Sequence, residues 1–408
     1  MQRSGGAVIH MLKNPEQIEV LCGKLFDEYG SVFPLPPFSQ KVCSFFGSLA
    51  SLLMKHPQSR NYPDVVAFGF FCRQANIEGL RCRYEGQTEN RLGRGISFHI
   101  APSNVPIIFA YSMAVALLAG NACIVRVSSK PFEQIEIVCG CIRELLASSE
   151  YSVLADYITL VRYPRSRKIN DELSSVCDLR VIWGGDSTVE EVRCSPLPPR
   201  SNEITFADRC SAAVFDAEAV LSSKSALAHD FYNDTYLYDQ NACSSPRIIY
   251  WLGDEDICER AAEHFWGMVH GYLLEKYSVE PVISVDKYTA ACRLAIEKDM
   301  QVIPMPDQLI SRMRVYSLSP DLEKYRCAGG SFIEYFDTSL EALAGLVSPR
   351  IQTISYYGKL AEKLRSFVIE HRLNGIDRIV PVGKTADFDT LWDGYDLILQ
   401  MSRRISVQ

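Results

Sequence analysis

The chain has 408 residues, 47% hydrophobic and 22% charged, proportions ordinary for a soluble globular protein long enough for two or three lobes. Its formal net charge is −7, from 42 basic and 49 acidic residues with no dense Lys/Arg tract, which argues against a nucleic-acid or anionic-membrane surface. Fourteen cysteines are scattered without a C-x-x-C pair, so the short paired spacings of a zinc site are missing, no metal is expected, and free thiols in a reducing, cytoplasmic setting are implied.

The first residues, MQRSGGAVIHMLKNPEQ, lack the apolar core of a signal peptide. Asn14-Pro15-Glu16 reads as the capped start of a helix that Gly30 ends. The turn PLPP (34–37) separates it from a second helix ending near His56, and a third follows Pro63. A strand–helix alternation comes next. GISFHIA (95–101), ACIVRVS (122–128), YITLVRY (157–163) and LRVIWGG (179–185) are short, apolar, β-branched runs. Helical segments at about 107–119, 132–149 and 167–177 separate them. The pattern predicts a parallel, doubly wound sheet with a nucleotide site at the C-terminal ends of its strands. The longest apolar run, 105–120, is interrupted by Tyr111 and Ser112 and falls short of the ~20 residues of a membrane span, so it reads as a buried helix.

After the proline-rich stretch 196–199 a second alternation is expected from EITF (203–206) and AAVF (212–215). A helix over about 217–238, a strand RIIYWL (247–252) and helices over about 254–276 and 286–299 follow, with the boundary placed near Asn202.

Three local patterns carry chemistry. APSNVP (101–106) follows a strand and precedes an apolar helix, and Asn104 between two prolines is rigidly held; a plain loop cap is an equal reading of that segment. AGNACIVRVSSKP (119–131) opens on a Gly120-Asn121 turn and delivers Arg126 and Lys130 to the end of the second strand, which faces the adenosine ribose in a doubly wound sheet. Basic and hydroxyl groups there suit a 2′-phosphate; ordinary solvated cations are the alternative. DQNACSSPRIIYW (239–251) puts Cys243 on a polar loop just before a strand, flanked by Asn241 and Ser244-Ser245. Most cysteines are inert and buried, so the loop setting alone is a weak signal.

The three patterns, in this order, resemble the Pro-x-Asn-x-Pro loop, the Gly-Asn…Lys-Pro-Ser-Glu strand and the nucleophile loop of the aldehyde dehydrogenase superfamily. The resemblance is closer to its LuxC-type long-chain acyl-CoA reductases. APSNVP, GN with IVRVSSKPF, CSSP, IQT (351–353) and the tail GIDRIVPVG…WDGYDLI…SR (375–403) carry that likeness, across roughly 93–404.

The resemblance implies an α/β, aldehyde dehydrogenase-like fold: a helical segment and Rossmann-type NADP-binding domain over 1–201, a catalytic thiol domain over 202–390, and a tail over 391–408 that returns to the cofactor domain or serves an oligomer interface. It implies Cys243 as nucleophile and Asn104 as donor to an oxyanion. It also implies Arg126, Ser128, Ser129 and Lys130 around the adenosine, and Gly184, Gly185, Asp186 and Ser187 near the pyrophosphate. The glutamate of a Glu-Leu-Gly-Gly segment, which activates water in members that oxidise aldehydes, has no clear counterpart in NEITFADRCSAAVF (202–215), where Glu203 is only a positional approximation.

The implied reaction is NADPH-dependent reduction of a fatty acyl thioester, acyl-CoA or acyl-protein, through an acyl-cysteine, in a cytoplasmic homo-oligomer with an acyl-protein synthetase subunit as a candidate partner. The competing readings are a CoA-acylating aldehyde dehydrogenase acting on a shorter aldehyde and a cysteine acyltransferase or thioesterase without a redox cofactor. A silent scaffolding subunit is disfavoured by the intact Cys243, Asn104 and GN segments.

Overall fold

In the computed structural model the described residues are 18–24 and 32–408. The chain divides into two compact units, Met1–Ala207 with Phe388–Gln408, and Asp208–Asp387.

The first unit is built on a sheet of strands β1 (Glu19–Cys22), β2 (Ile96–Ile100), β3 (Ala122–Arg126), β4 (Ile158–Arg162), β5 (Leu179–Trp183) and β6 (Asn202–Phe206), in the spatial order β1-β4-β3-β2-β5-β6. All neighbours run parallel except β1, which lies antiparallel on the β4 edge. The four apolar runs thus become the central strands. Their near-continuous hydrophobicity reflects burial on both faces, as a parallel sheet covered by helices requires. One covering helix, Ile108–Leu118, is buried at every position after Ile108, which accounts for its apolar run.

The helix expected over 14–30 is corrected by β1. Glu19–Cys22 is a strand paired with Ile158–Arg162, and that long-range pairing overrides the local cap signal. The cap itself, Asn14-Pro15-Glu16, and Gly30 lie outside the described residues. EITF also differs from expectation: it forms the last parallel strand of the first sheet, beside β5, so the two units meet in sequence after Ala207.

The second unit holds β7 (Cys210–Asp216), β8 (Pro246–Leu252), β9 (Met300–Ile303), β10 (Ser311–Val315), β11 (Ser331–Asp337), β12 (Ile351–Tyr357) and β13 (Arg378–Pro381), ordered β9-β10-β11-β8-β7-β12-β13. Only β9 is antiparallel to its neighbour. The single helix expected over 217–238 is instead two, Ala217–Leu221 and Ala226–Asp234. The intervening Ser222-Ser223-Lys224-Ser225 supplies hydroxyls that compete with helical hydrogen bonding.

The C-terminal segment packs on the first unit. Ser402–Arg404 pairs antiparallel with Arg91–Gly93. Asn121, fully buried, receives the Arg94 and Gly95 N–H groups on Oδ1 and donates from Nδ2 to Ala116 O and Met401 O. The preceding Gly120 has φ +90°, and a Cβ there would lie 2.0 Å from Leu35 O. The GN pair is therefore a clamp on the start of β2 and on the tail as well as a turn.

Candidate functional site

A cleft of about 580 Å³ opens where β2, β3, β4 and β5 end, the position at which doubly wound sheets bind ligands. It is lined by Asn104 from the loop after β2; by Arg126, Ser128, Ser129 and Lys130 from β3 and its loop; and by Gly184, Gly185 and Thr188 after β5. Asp186 and Ser187, also expected there, are not among the lining residues; they open the helix Asp186–Arg193 beside it. Ile100, Pro164, Arg165, Trp183 and Thr188 also line it and were not anticipated as site residues from sequence. Pro164 and Arg165 follow β4, whereas Trp183 ends β5 and Thr188 sits on the helix Asp186–Arg193, on either side of Gly184-Gly185.

The electrostatics of the cleft are one-sided. Among the described residues, Arg126, Lys130 and Arg165 line it and no carboxylate does. The Arg126 guanidinium donates to Tyr163 O at 3.2 Å and lies 4.8 Å over the Tyr163 ring. Its Nε is buried without a hydrogen-bond partner among the described residues. Ser129 Oγ donates to the same carbonyl at 3.2 Å, and Ser128 Oγ accepts from the Lys130 N–H. Arg165, 76% exposed, reaches Glu191 only at 3.8 Å. A Cβ at Gly184 would press Thr188 at 3.0 Å, whereas Gly185 faces open space. Glycine at 184 lets the helix approach its strand, and glycine at 185 leaves room for a ligand at the helix start. Three cations, a chain of hydroxyls and an open helix start fit the phosphates of a dinucleotide, and the volume lies within the range of cofactor clefts.

Asn104 is exposed at this cleft. The helix behind it has Ile107 at its N-cap and no side-chain cap bond, so Asn104 is not that helix's cap. Glu203 is spoken for: it accepts from Arg180 Nε at 2.8 Å and Arg193 Nε at 2.7 Å. With Arg180 buried, that carboxylate neutralises a charge inside the fold and is not poised to activate water.

Cys243 lies in the second unit, half-buried, on the loop leading into β8. Its carbonyl accepts from Ser211 Oγ at 2.8 Å. The hub of the loop is Gln240, which sequence reasoning passed over. Asp239 and Gln240 take left-handed φ values of 51° and 57°, a conformation disfavoured outside glycine and tolerated where surrounding bonds impose it. Gln240 is fully buried and uses both ends of its amide. Oε1 accepts from the Gly330 and Ser331 N–H groups at 3.0 Å each, and Nε2 donates to Pro246 O and Ser331 O at 3.1 Å each.

Arg247 donates to Gln240 O and Cys327 O. Lys287, 1% exposed, donates to Gln308 O at 2.6 Å and Gly329 O at 2.5 Å. Gly329 N–H in turn donates to Asp239 O at 3.0 Å. The Cys243 loop is thus pinned from two sides by cations, the half-buried Arg247 and the buried Lys287, that spend donors on main-chain carbonyls. Burial lowers the Lys287 ammonium from 10.5 to about 8. The unfolded chain holds that proton until about 10.5 and the folded chain releases it near 8, so unfolding takes up a proton between these values. Stability from this group therefore rises with pH across that window. Chemical denaturation from pH 7 to 10 should show that rise and Lys287→Met should flatten it; identical pH profiles would refute the assignment.

Of the other thirteen cysteines, Cys327 is also half-buried, Cys82, Cys194 and Cys292 are exposed, and the rest are buried. Burial pushes Cys123 and Cys72 well up, as expected of inert thiols. Among the described residues there is no cluster that could hold a metal ion, and no helix is long and apolar enough to cross a membrane.

The chain matches the profile of the acyl-CoA reductase (LuxC) family over residues 77–320. That span contains APSNVP, the GN segment and Cys243, and ends before IQT and the tail motifs. It is 28% identical over 171 residues to a long-chain acyl-protein thioester reductase of Aliivibrio fischeri, covering 40% of this chain and 33% of that protein. It is 31% identical over 172 residues to the Vibrio harveyi protein of the same description, with coverages of 40% and 33%. The matched region thus spans about a third of the length of these relatives. Among solved structures, an NAD-dependent benzaldehyde dehydrogenase from Corynebacterium glutamicum superposes with a TM-score of 0.61 at 15% identity, covering 92% of this chain and 85% of that one. Aldehyde dehydrogenase 21 from Physcomitrella patens gives 0.62 at 11%, with coverages of 85% and 78%. The fold is that of the aldehyde dehydrogenases. By the profile match over more than half its length, the chain belongs to the acyl-CoA reductase (LuxC) family.

Proposed function

We propose that the protein reduces a long-chain acyl thioester to the aldehyde with NADPH, through an acyl group carried on Cys243. The observation that carries this reading is a cleft at the strand ends lined, among the described residues, by three cations and no carboxylate, in a chain whose second unit presents a half-buried cysteine on a braced loop. The Cys243 thiolate attacks the thioester carbonyl, the acyl–sulfur bond of the donor breaks, and the donor thiol leaves with a proton. The product is again a thioester, so its energy is conserved and it remains reducible. When bound, the dinucleotide supplies a hydride. Collapse of the resulting thiohemiacetal breaks the bond to Cys243 and frees the aldehyde. Asn104 is assigned the role of donor to the oxyanion at each tetrahedral stage. The commitment of Glu203 to Arg180 and Arg193 supports reduction over hydrolysis, because it leaves that carboxylate no part in activating water. Ser128, Ser129, Arg126, Lys130 and Arg165 would hold the adenosine 2′-phosphate, and Gly184 and Gly185, with the helix start at Asp186 and Ser187, the pyrophosphate.

The test is acyl trapping. Incubation with acyl-CoAs of increasing chain length and no cofactor should add one acyl mass per chain, labile to hydroxylamine, and NADPH should then release aldehyde. Labelling that survives Cys243→Ala would move the nucleophile elsewhere. Release of free acid or of an acyl ester, with no dinucleotide bound, would point to a thioesterase or acyltransferase. Cofactor choice has its own test: Ser129→Glu places a carboxylate where a 2′-phosphate would lie and should shift the ratio of kcat/KM values toward NADH by about ten- to hundred-fold. An unmodified enzyme using both cofactors equally, with no shift on substitution, would overturn the preference for NADPH. An adjacent acyl-protein synthetase as donor system and a homo-oligomeric state complete the proposal, to be checked by co-purification and by mass in solution.

A further inference from the structure

We propose that Trp183 is a cofactor-positioning wall of the cleft, and that His99 sets it through a one-way hydrogen-bond relay without reaching the cleft itself. The inference rests on the dinucleotide reading above. His99 on β2 is completely buried between two serines, with Nδ1 2.6 Å from Ser112 Oγ and Nε2 2.8 Å from Ser97 Oγ. Trp183 Nε1 lies 2.9 Å from the same Ser112 Oγ, and Ser97 Oγ lies 3.0 Å from Ala122 O.

The two ends of this chain of contacts fix its direction. An indole N–H can only donate and a carbonyl can only accept. Ser112 therefore accepts from Trp183 and gives its own proton to His99 Nδ1. The ring proton then sits on Nε2 and goes to Ser97, whose hydroxyl donates to Ala122 O. Each donor and each acceptor is used once, and only the neutral Nε2–H tautomer satisfies all of them. Burial lowers the imidazole to about 3, so this tautomer persists across the physiological range.

The relay links β3, β2, the helix Ile108–Leu118 and β5, the strands between which the sheet order reverses. A buried polar chain is costly wherever one member lacks its partner, and an apolar side chain at 99 would fill the same space without that liability. What the chain accomplishes is visible at its far end. Trp183 is the last residue of β5, immediately before Gly184-Gly185, and lines the cleft. Its ring stacks on Phe206 with centroids 3.6 Å apart and an interplanar angle of 14°. With the indole N–H pulled inward and one face against Phe206, the ring cannot swing into the open cleft. The wall beside the glycines is thereby held in one position before any ligand arrives, which is what preorganised binding requires.

The experiment uses full-length protein labelled with 5-fluorotryptophan, its Trp183 resonance assigned by loss in Trp183→Phe, with NADPH affinity measured by calorimetry. The Trp183 signal should shift when NADPH is added to the unmodified protein. Ser112→Ala, which removes the middle of the relay without adding bulk, should broaden or displace that signal before cofactor is added. The same variant should weaken NADPH binding about ten-fold, the size expected for one lost buried hydrogen bond. His99→Leu should do the same, and His99→Gln, whose amide can accept and donate as the ring does, should restore both readouts. Tight NADPH binding with an unmoved Trp183 resonance, or unchanged affinity in both Ser112→Ala and His99→Leu, would overturn this inference alone. An unmodified protein that binds no dinucleotide would overturn it together with the cofactor assignment.

Discussion

Replacing Cys243 with alanine should lower aldehyde formation by at least about 10⁴-fold, the scale seen when a covalent nucleophile is removed from a preorganised site. NADPH affinity should be unaltered, since every residue assigned to the dinucleotide belongs to the first unit. The substitution should also leave the loop standing. The bonds that brace it run through the Gln240 amide, the Arg247 guanidinium and the Cys243 carbonyl, and alanine keeps that carbonyl. Cys243→Ser sharpens the test, because a serine hydroxyl is a far poorer nucleophile near neutral pH and its ester would resist reduction. Steady-state turnover with calorimetric cofactor binding measures both halves. Residual activity above a tenth of the original in either variant would remove Cys243 from the mechanism.

Asn104→Ala should cost about 10²- to 10³-fold in kcat with little change in the KM for NADPH, in line with other oxyanion-donor deletions. The geometry makes this a clean measurement. Asn104 is exposed on the loop after β2, and the helix behind it has Ile107 at its N-cap, so shortening the side chain opens no cavity in the core. Asn104→Asp, nearly the same shape with a negative charge, should be worse than alanine if an oxyanion forms nearby and no worse if the side chain merely orders the loop. Thermal melts of both variants should stay close to the parent. Activity within a few-fold of the parent in both would return Asn104 to a structural part.

The doubly wound sheet was legible because its strands are buried on both faces, and residues such as Ile124, Val125, Val181 and Ile182 write that burial into the sequence as apolar runs. The cleft was legible in part. Arg126, Ser128, Ser129 and Lys130 follow one strand, and strand order alone says where such residues go. Arg165 was missed because lining depends on where distant loops converge, and Trp183 because, at the end of the apolar run LRVIWGG, it reads as strand core. β1 was missed because its partner, Ile158–Arg162, is far away in sequence, whereas the cap signal at Asn14 is local. Gln240 escaped for a different reason. Attention to a nucleophile's neighbours favours small polar residues, and nothing in the letters DQNACSSP states that the glutamine is buried and in a left-handed backbone. A long amide three residues before the thiol was the one available signal, since only such a side chain can satisfy two main-chain donors and two acceptors at once.

The way the chain leaves the first unit and comes back has a consequence for biosynthesis. Leu397, Ile398 and Met401 complete the core around the helix Ile108–Leu118, and Asn121 and Arg91 wait for the Met401 and Leu399 carbonyls. On the ribosome these residues emerge after all of Asp208–Asp387. The second unit therefore has every one of its own contacts in hand first, while the first must hold an incomplete core through the synthesis of its neighbour. Released chains truncated before residue 397 should yield protease-resistant 208–387 and a digestible remainder; equal resistance of both parts would contradict this order. The apolar helix behind the cleft is then left partly uncovered until residues 397–404 latch onto the first unit.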